Sequence, residues 1–274
     1  MDIEKIQKEE MSESTILEKK SWLYEKLFCT RLYPKDLLYC EGRNKPTFRG
    51  KVHLYAFFMI PFVLLFLWNQ SKTTTAKIMS VFVSVCIALC LGVSGMYHRC
   101  NLNKEQEIFL QKFDHACILI VAMGSYIPLV FYIMDKGIGI AFICYYILFS
   151  LMGFIWILFG NESFIPLCVI SLSGFPVFIY IYKKLGLQVF IYSMLVMIFY
   201  GIGAYLFKCQ KCDFIPDTFG YHEVFHVFVV MSMILTFVVH YYAIQTESWF
   251  DKMELNDIIL ENENINAFEK VSIL

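Results

Sequence analysis

The chain is predicted to be an all-α integral membrane protein, a seven-transmembrane helix bundle with polar, metal-binding residues near one membrane face. Three observations predict this. Of the 274 residues, 58% are hydrophobic and only 17% charged, well below the roughly 25% charged of a soluble domain. From residue 51 the apolar residues gather into segments long enough to cross about 30 Å of hydrocarbon at about 1.5 Å per residue. Inside those segments, histidines recur at helical spacing, where a polar ring is expensive and needs a reason.

In chain order, residues 1–50 form a polar N-terminal tail. Its first twenty residues are rich in Glu, Lys and Ser, a composition that does not support a packed core. Over 21–38, Trp22, Leu23, Leu27, Phe28 and Leu32 recur among Lys26, Arg31 and Lys35. That pattern fits an interfacial amphipathic helix and equally a loop with aromatics packed on the bundle. No secretory signal is expected in so polar a start. The membrane domain is 51–244, with spans expected at 53–69, 77–98, 112–134, 138–159, 164–182, 187–207 and 222–244. The fourth and fifth are the weakest, because Asn161-Glu162 is a thin divider and Ser171, Ser173, Gly174 and Pro176 interrupt the segment beyond it. Gly92, Ser94, Gly95, Gly124, Ser125, Gly201, Gly203 and Ala204 would let helices approach closely. Residues 245–274 form an acidic C-terminal tail.

Five of the ten cysteines, Cys86, Cys90, Cys117, Cys144 and Cys168, lie in apolar runs and are expected to pack as small apolar residues. Cys209-x-x-Cys212 is a lone pair, weak evidence for metal or redox chemistry. No basic stripe suggests nucleic acid. With a cytoplasmic N-terminus, nine Lys and Arg flank the spans on that side (Arg43, Lys45, Arg49, Lys51, Arg99, Lys104, Lys112, Lys208, Lys211). Six flank them on the other (Lys72, Lys77, Lys136, Lys183, Lys184, Lys252), which favours that orientation without excluding its inverse.

The histidines carry the chemistry. His222 and His226 stand four residues apart at the start of span seven, on one helix face and able to hold one metal ion. With seven spans, the end of span two (Ser94 and His98), the start of span three (Asp114 and His115) and the start of span seven all reach one side of the membrane. That parity needs no orientation. The expected ligands are His98, His222 and His226, which suit Zn²⁺ with an open fourth position for water. Asp114 is the expected partner of that water, or else a carboxylate at a helix N-terminus. Ser94 is a hydrogen-bond donor to the site or a small packing residue. His53 and His115 read as structural or supporting residues. His240, fourteen residues past His226 and so about 21 Å along the helix, cannot share their metal. The string HEVFH also spells the zinc-protease pattern with Glu223 as base. Its downstream acid Glu247 would lie about 31 Å away in a continuous span, which excludes that reading and leaves Glu223 as an interfacial acid.

Ser94-x-x-x-His98, Phe113-Asp114-His115 with Gly124-Ser125-Tyr126-x-Pro128, and His222-Glu223-x-Phe225-His226-x-Phe228-Val229 together resemble the progestin and adipoQ receptor superfamily in its hemolysin III branch. The resemblance covers most of residues 50–244. It implies seven helices, a cytoplasmic N-terminus, zinc on His98, His222 and His226, and a water-mediated contact from Asp114. It also implies a site similar to that of membrane ceramidases, hence hydrolysis of a membrane lipid amide. Phe48-Arg49-Gly50-Lys51-Val52-His53 departs from the branch's Asn-Ala-x-x-His signature. A receptor or signalling module with structural zinc, and a cytolysin or pore-forming hemolysin, stand as alternative readings.

Overall fold

The structure, a computed structural model, describes residues 38–42, 45–160, 165–210, 212–215 and 217–252. The expected interfacial helix, most of both tails, Asn161-Glu162 and Lys211 lie outside the described residues. After a 3-10 turn at Tyr39–Glu41, the elements are α1 (Lys51–Gln70), α2 (Thr74–Arg99), α3 (Lys104–Ile133), α4 (Lys136–Phe159), α5 (Ile165–Leu172), α6 (Phe175–Cys209) and α7 (Tyr221–Ala243). Among the described residues there is no strand beyond an isolated bridge between Ile215 and Phe219.

Local chemistry sets the helix starts. Thr73 caps α2 by accepting from the Ala76 N–H at 3.1 Å. Asn103 and Gln106 satisfy each other's backbone N–H groups at the head of α3, at 2.9 and 3.1 Å, a reciprocal capping box. That cap carries α3 two turns beyond the apolar run, so the helix begins at Lys104 rather than at residue 112.

Among the described residues, six helical runs are long and apolar enough to cross a membrane. The expected fifth and sixth spans lie within one of them, Pro166–Cys209, which is 44 residues long. The run is broken twice. It turns at Ser173-Gly174, after which Pro176 lies in the first turn of α6, where its missing N–H costs nothing. It breaks again inside α6 at Gly186, whose φ of 84° lies in the left-handed region that glycine enters without penalty.

Helix α3 is the axis of the bundle, packing against α2, α4, α5, α6 and α7, while α7 also packs on α1 and α6. Its close neighbours are set by small residues: a methyl group on Gly124 would come within 2.5 Å of Cys86 Cβ on α2, and one on Gly203 within 3.0 Å of Phe228 Cβ on α7. Helices α1 and α4 turn large apolar side chains outward, among them Phe58, Phe62, Leu148, Met152 and Trp156, as a lipid-facing surface requires. Lys77 lies over Trp68 and Lys136 over Trp249, at 5.3 and 5.9 Å from the ring centroids. Such basic and aromatic pairs suit a membrane–water boundary. The fold is that of a multi-pass integral membrane protein.

Candidate metal centre

Three helix ends build the site. The last turn of α2 supplies His98, the first turns of α7 supply His222 and His226, and α3 supplies Asp114 beyond its polar start. His98, His222 and His226 are buried, with relative exposures of 0%, 3% and 3%. One ligand nitrogen from each falls within 4.8 Å of the others, and the ring centroids stand 4.7–5.0 Å apart. Three nitrogens bound to one zinc at about 2.0–2.1 Å would lie about 3.4 Å apart. Small pivots of the rings therefore suffice, and the donor set fits a metal ion.

The Asp114 carboxylate is buried with its Oδ2 4.0 Å from His98 Nε2. That is too long for a hydrogen bond and leaves space for a bridging atom. The Ser94 hydroxyl, 1% exposed, is a neighbour of that carboxylate without meeting direct hydrogen-bond geometry. The site's walls are aromatic. Tyr97 packs on His98 at 4.5 Å and Phe207 edge-on against His222 at 5.0 Å.

The remaining candidates fall into different roles. His53 is buried and stacks on His226 at 3.8 Å with the planes 7° apart, holding one face of that ring. His115 is buried beside Asp114 but outside the three-histidine group. His240 lies at the other end of α7, its Nε2 3.1 Å from Ser80 Oγ. Cys209 and Cys212 are exposed and unbridged, and join no three-residue ligand cluster among the described residues.

Glu223 differs most from the sequence reading. It is 1% exposed and paired with the Arg49 guanidinium through Nε. Its other oxygen accepts the Gly220 N–H at 2.8 Å, capping α7. Burial works against the Arg49 charge, but the Tyr39 hydroxyl and the Glu223 carboxylate beside it outweigh that and hold the guanidinium more basic than usual. Arg49 belongs to a short clamp before α1. There the Thr47 and Phe48 N–H groups donate to the Asp217 and Thr218 carbonyls at 3.1 Å each. Gly50, at φ 75°, lies so close to α2 that a Cβ would meet His98 Cβ at 2.5 Å. The clamp thus ties the loop before His222 to the backbone under His98.

Sequence reasoning missed the clamp and a buried acid, Glu107, 2% exposed on the first turn of α3. An available signal was the departure from the branch signature at Phe48-Arg49-Gly50: an arginine beside a membrane span needs a carboxylate, and HEVFH offers one.

Taken together, the apolar helices and the buried three-histidine group define a multi-pass helical membrane protein with a candidate metal centre at one end of its bundle. The haemolysin-III related family matches residues 42–237, a stretch that runs from the clamp past all three histidines, and the chain belongs to that family.

Proposed function

We propose that the protein is a zinc-dependent intramembrane hydrolase acting on a lipid amide or ester of the ceramide type. The observation that carries this reading is the pairing of three converging buried histidines with a carboxylate 4.0 Å from one of them. A purely structural zinc is most simply closed by four protein ligands, whereas here the described residues converge three. When bound, zinc supplies a Lewis acid that polarises a carbonyl and acidifies water.

The chain's own residues do the rest. Asp114 orients the attacking water and accepts its proton, and as the C–N or C–O bond breaks it returns that proton to the leaving amine or alcohol. The Ser94 hydroxyl donates to the oxygen that gains charge as the carbonyl is attacked. His53 and Tyr97 hold the ligand rings in place, and the apolar walls exclude bulk water from the reacting bond.

The same geometry supports seven crossings. His98 closes α2 and His222 opens α7, yet they meet, so the chain between α3 and α7 must cross the membrane an odd number of times after α3 has crossed once. With α4 as one crossing, Pro166–Cys209 supplies two. Its 44 residues span about 66 Å as helix, twice the hydrocarbon thickness, and Gly186 sits where the turn is needed. The charge balance favours a cytoplasmic N-terminus and metal end, with 1–50 and 245–274 as tails.

The test is metal content of detergent-purified protein, wild type beside His98→Ala, with turnover of fluorescent ceramides and related amides. About one zinc per chain, absent in the variant, with fatty acid released only by wild type, is the expected result. Zinc without turnover on any lipid amide or ester would make the site structural in a signalling module. Lysis of target vesicles that persists in the variant would favour a cytolysin.

A further inference from the structure

We propose that residues 38–42 form a latched lid over the metal centre, with Glu107 as the latch; the inference rests on the metal reading of the site. The segment turns as a short 3-10 element across the end of the bundle. Glu107 spends both carboxylate oxygens on it, accepting the Tyr39 N–H at 2.5 Å and the Cys40 N–H at 2.9 Å. These are charge-assisted bonds, and they read backbone rather than side chain.

Tyr39 is the part that covers the site. Its ring lies edge-on to His98 at 6.3 Å and against Tyr97 at 6.1 Å. Its hydroxyl accepts from Arg49 Nη1 at 2.6 Å, and Arg49 in turn holds Glu223 beside His222. One side chain thus touches the ligand-bearing end of α2 and, through Arg49, the ligand-bearing start of α7.

The way the segment is held makes it a lid and not a wall. None of its residues is fully buried, and Cys40, Glu41 and Gly42 are exposed. Beyond the Tyr39 ring's contacts with Tyr97 and His98, polar groups hold the segment among the described residues: Glu107, Arg49, the exposed Glu41–Lys104 ion pair at 2.6 Å, and Lys45 over the Tyr39 ring at 5.0 Å. A segment with little apolar burial opens at low local cost. Opening uncovers the polar end of the histidine cluster while leaving the α2–α3–α7 packing beneath it in place. Ligand exchange and water access are therefore gated by Glu107, which touches no ligand.

The experiment uses full-length protein in detergent, comparing wild type with Glu107→Ala, Tyr39→Ala and Lys104→Ala. Two rates are read: transfer of bound zinc to a chromophoric soluble chelator, and modification of His98 by diethyl pyrocarbonate in metal-stripped protein, followed by mass spectrometry. Glu107→Ala and Tyr39→Ala are expected to speed both by at least about tenfold, the effect of removing a charge-assisted bond or the cover itself. Their zinc content without chelator should stay at the wild-type level, and Lys104→Ala should remain within about twofold. Wild-type rates in both lid variants would overturn the lid. A wild type that holds no zinc would defeat the metal reading alone, and the His98 modification rates would still decide the lid: faster labelling in the two variants supports it, equal labelling overturns it.

Discussion

The two ends of the bundle use buried histidine in opposite ways. At one end His98, His222 and His226 turn their nitrogens toward a common point. At the other, His240 is just as buried, yet its ring is committed to a closed chain. Ser71 donates its only hydroxyl proton to the Leu67 carbonyl at 2.7 Å, so in its 3.4 Å contact with Ser80 it can only accept. Ser80 Oγ in turn stands 3.1 Å from His240 Nε2, within hydrogen-bond distance. The chain fastens the end of α7 to the start of α2 and the end of α1. Burial and residue type are the same at both ends; convergence alone separates a candidate metal site from a polar fastener.

The largest effect should come from the converging end. His222→Ala or His226→Ala is expected to lower zinc from about one per chain to near zero by elemental analysis, whereas His240→Phe should leave it unchanged. Equal losses would erase the distinction between the ends.

Next is the clamp. Arg49→Leu strands the Glu223 carboxylate in a buried position and should cost about 3–5 kcal/mol in a thermal or denaturant melt. Arg49→Leu with Glu223→Leu should recover much of that, because no charge is then left unpaired. A double variant no better than the single would show that the pair acts by shape and not by charge.

Gly50→Ala should cost about 1–3 kcal/mol from the left-handed backbone alone, and the clash with His98 Cβ should also weaken zinc retention. Retained affinity would mean that α2 can shift without moving the ligand. The smallest change is expected at the fastener: Ser80→Ala should destabilise by about 0.5–1.5 kcal/mol with metal content untouched.

Much of the metal end was legible in sequence because its logic is local. Four-residue spacing on one helix puts His222 and His226 together, and counting crossings brings His98 and Asp114 to the same face without any knowledge of packing. Glu223, Arg49 and Glu107 were not legible in that way. Their partners are 174 and about 68 residues distant, and in a chain whose charges cluster at span ends, nothing in composition distinguishes a buried acid from a solvated one. The span count shows the same division. Apolar length identified membrane helices readily, but the behaviour of 164–207 depends on single residues, Gly174 and Gly186, whose backbone angles hydropathy does not encode.

Helix α3 is 30 residues long, about 45 Å, and exceeds the roughly 30 Å of hydrocarbon. Its charged first turns therefore stand among the lipid headgroups, and Asp114, about 15 Å further along, falls near the level where headgroup chemistry gives way to acyl chains. The amide of a sphingolipid and the ester of a glycerolipid lie at that same level. On the proposed hydrolase reading, a lipid substrate would approach Asp114 from within its own leaflet, with no need to leave the bilayer. Turnover would then follow the mole fraction of substrate in the membrane, and diluting it with inert lipid would slow the reaction even when the total amount in the tube is held constant.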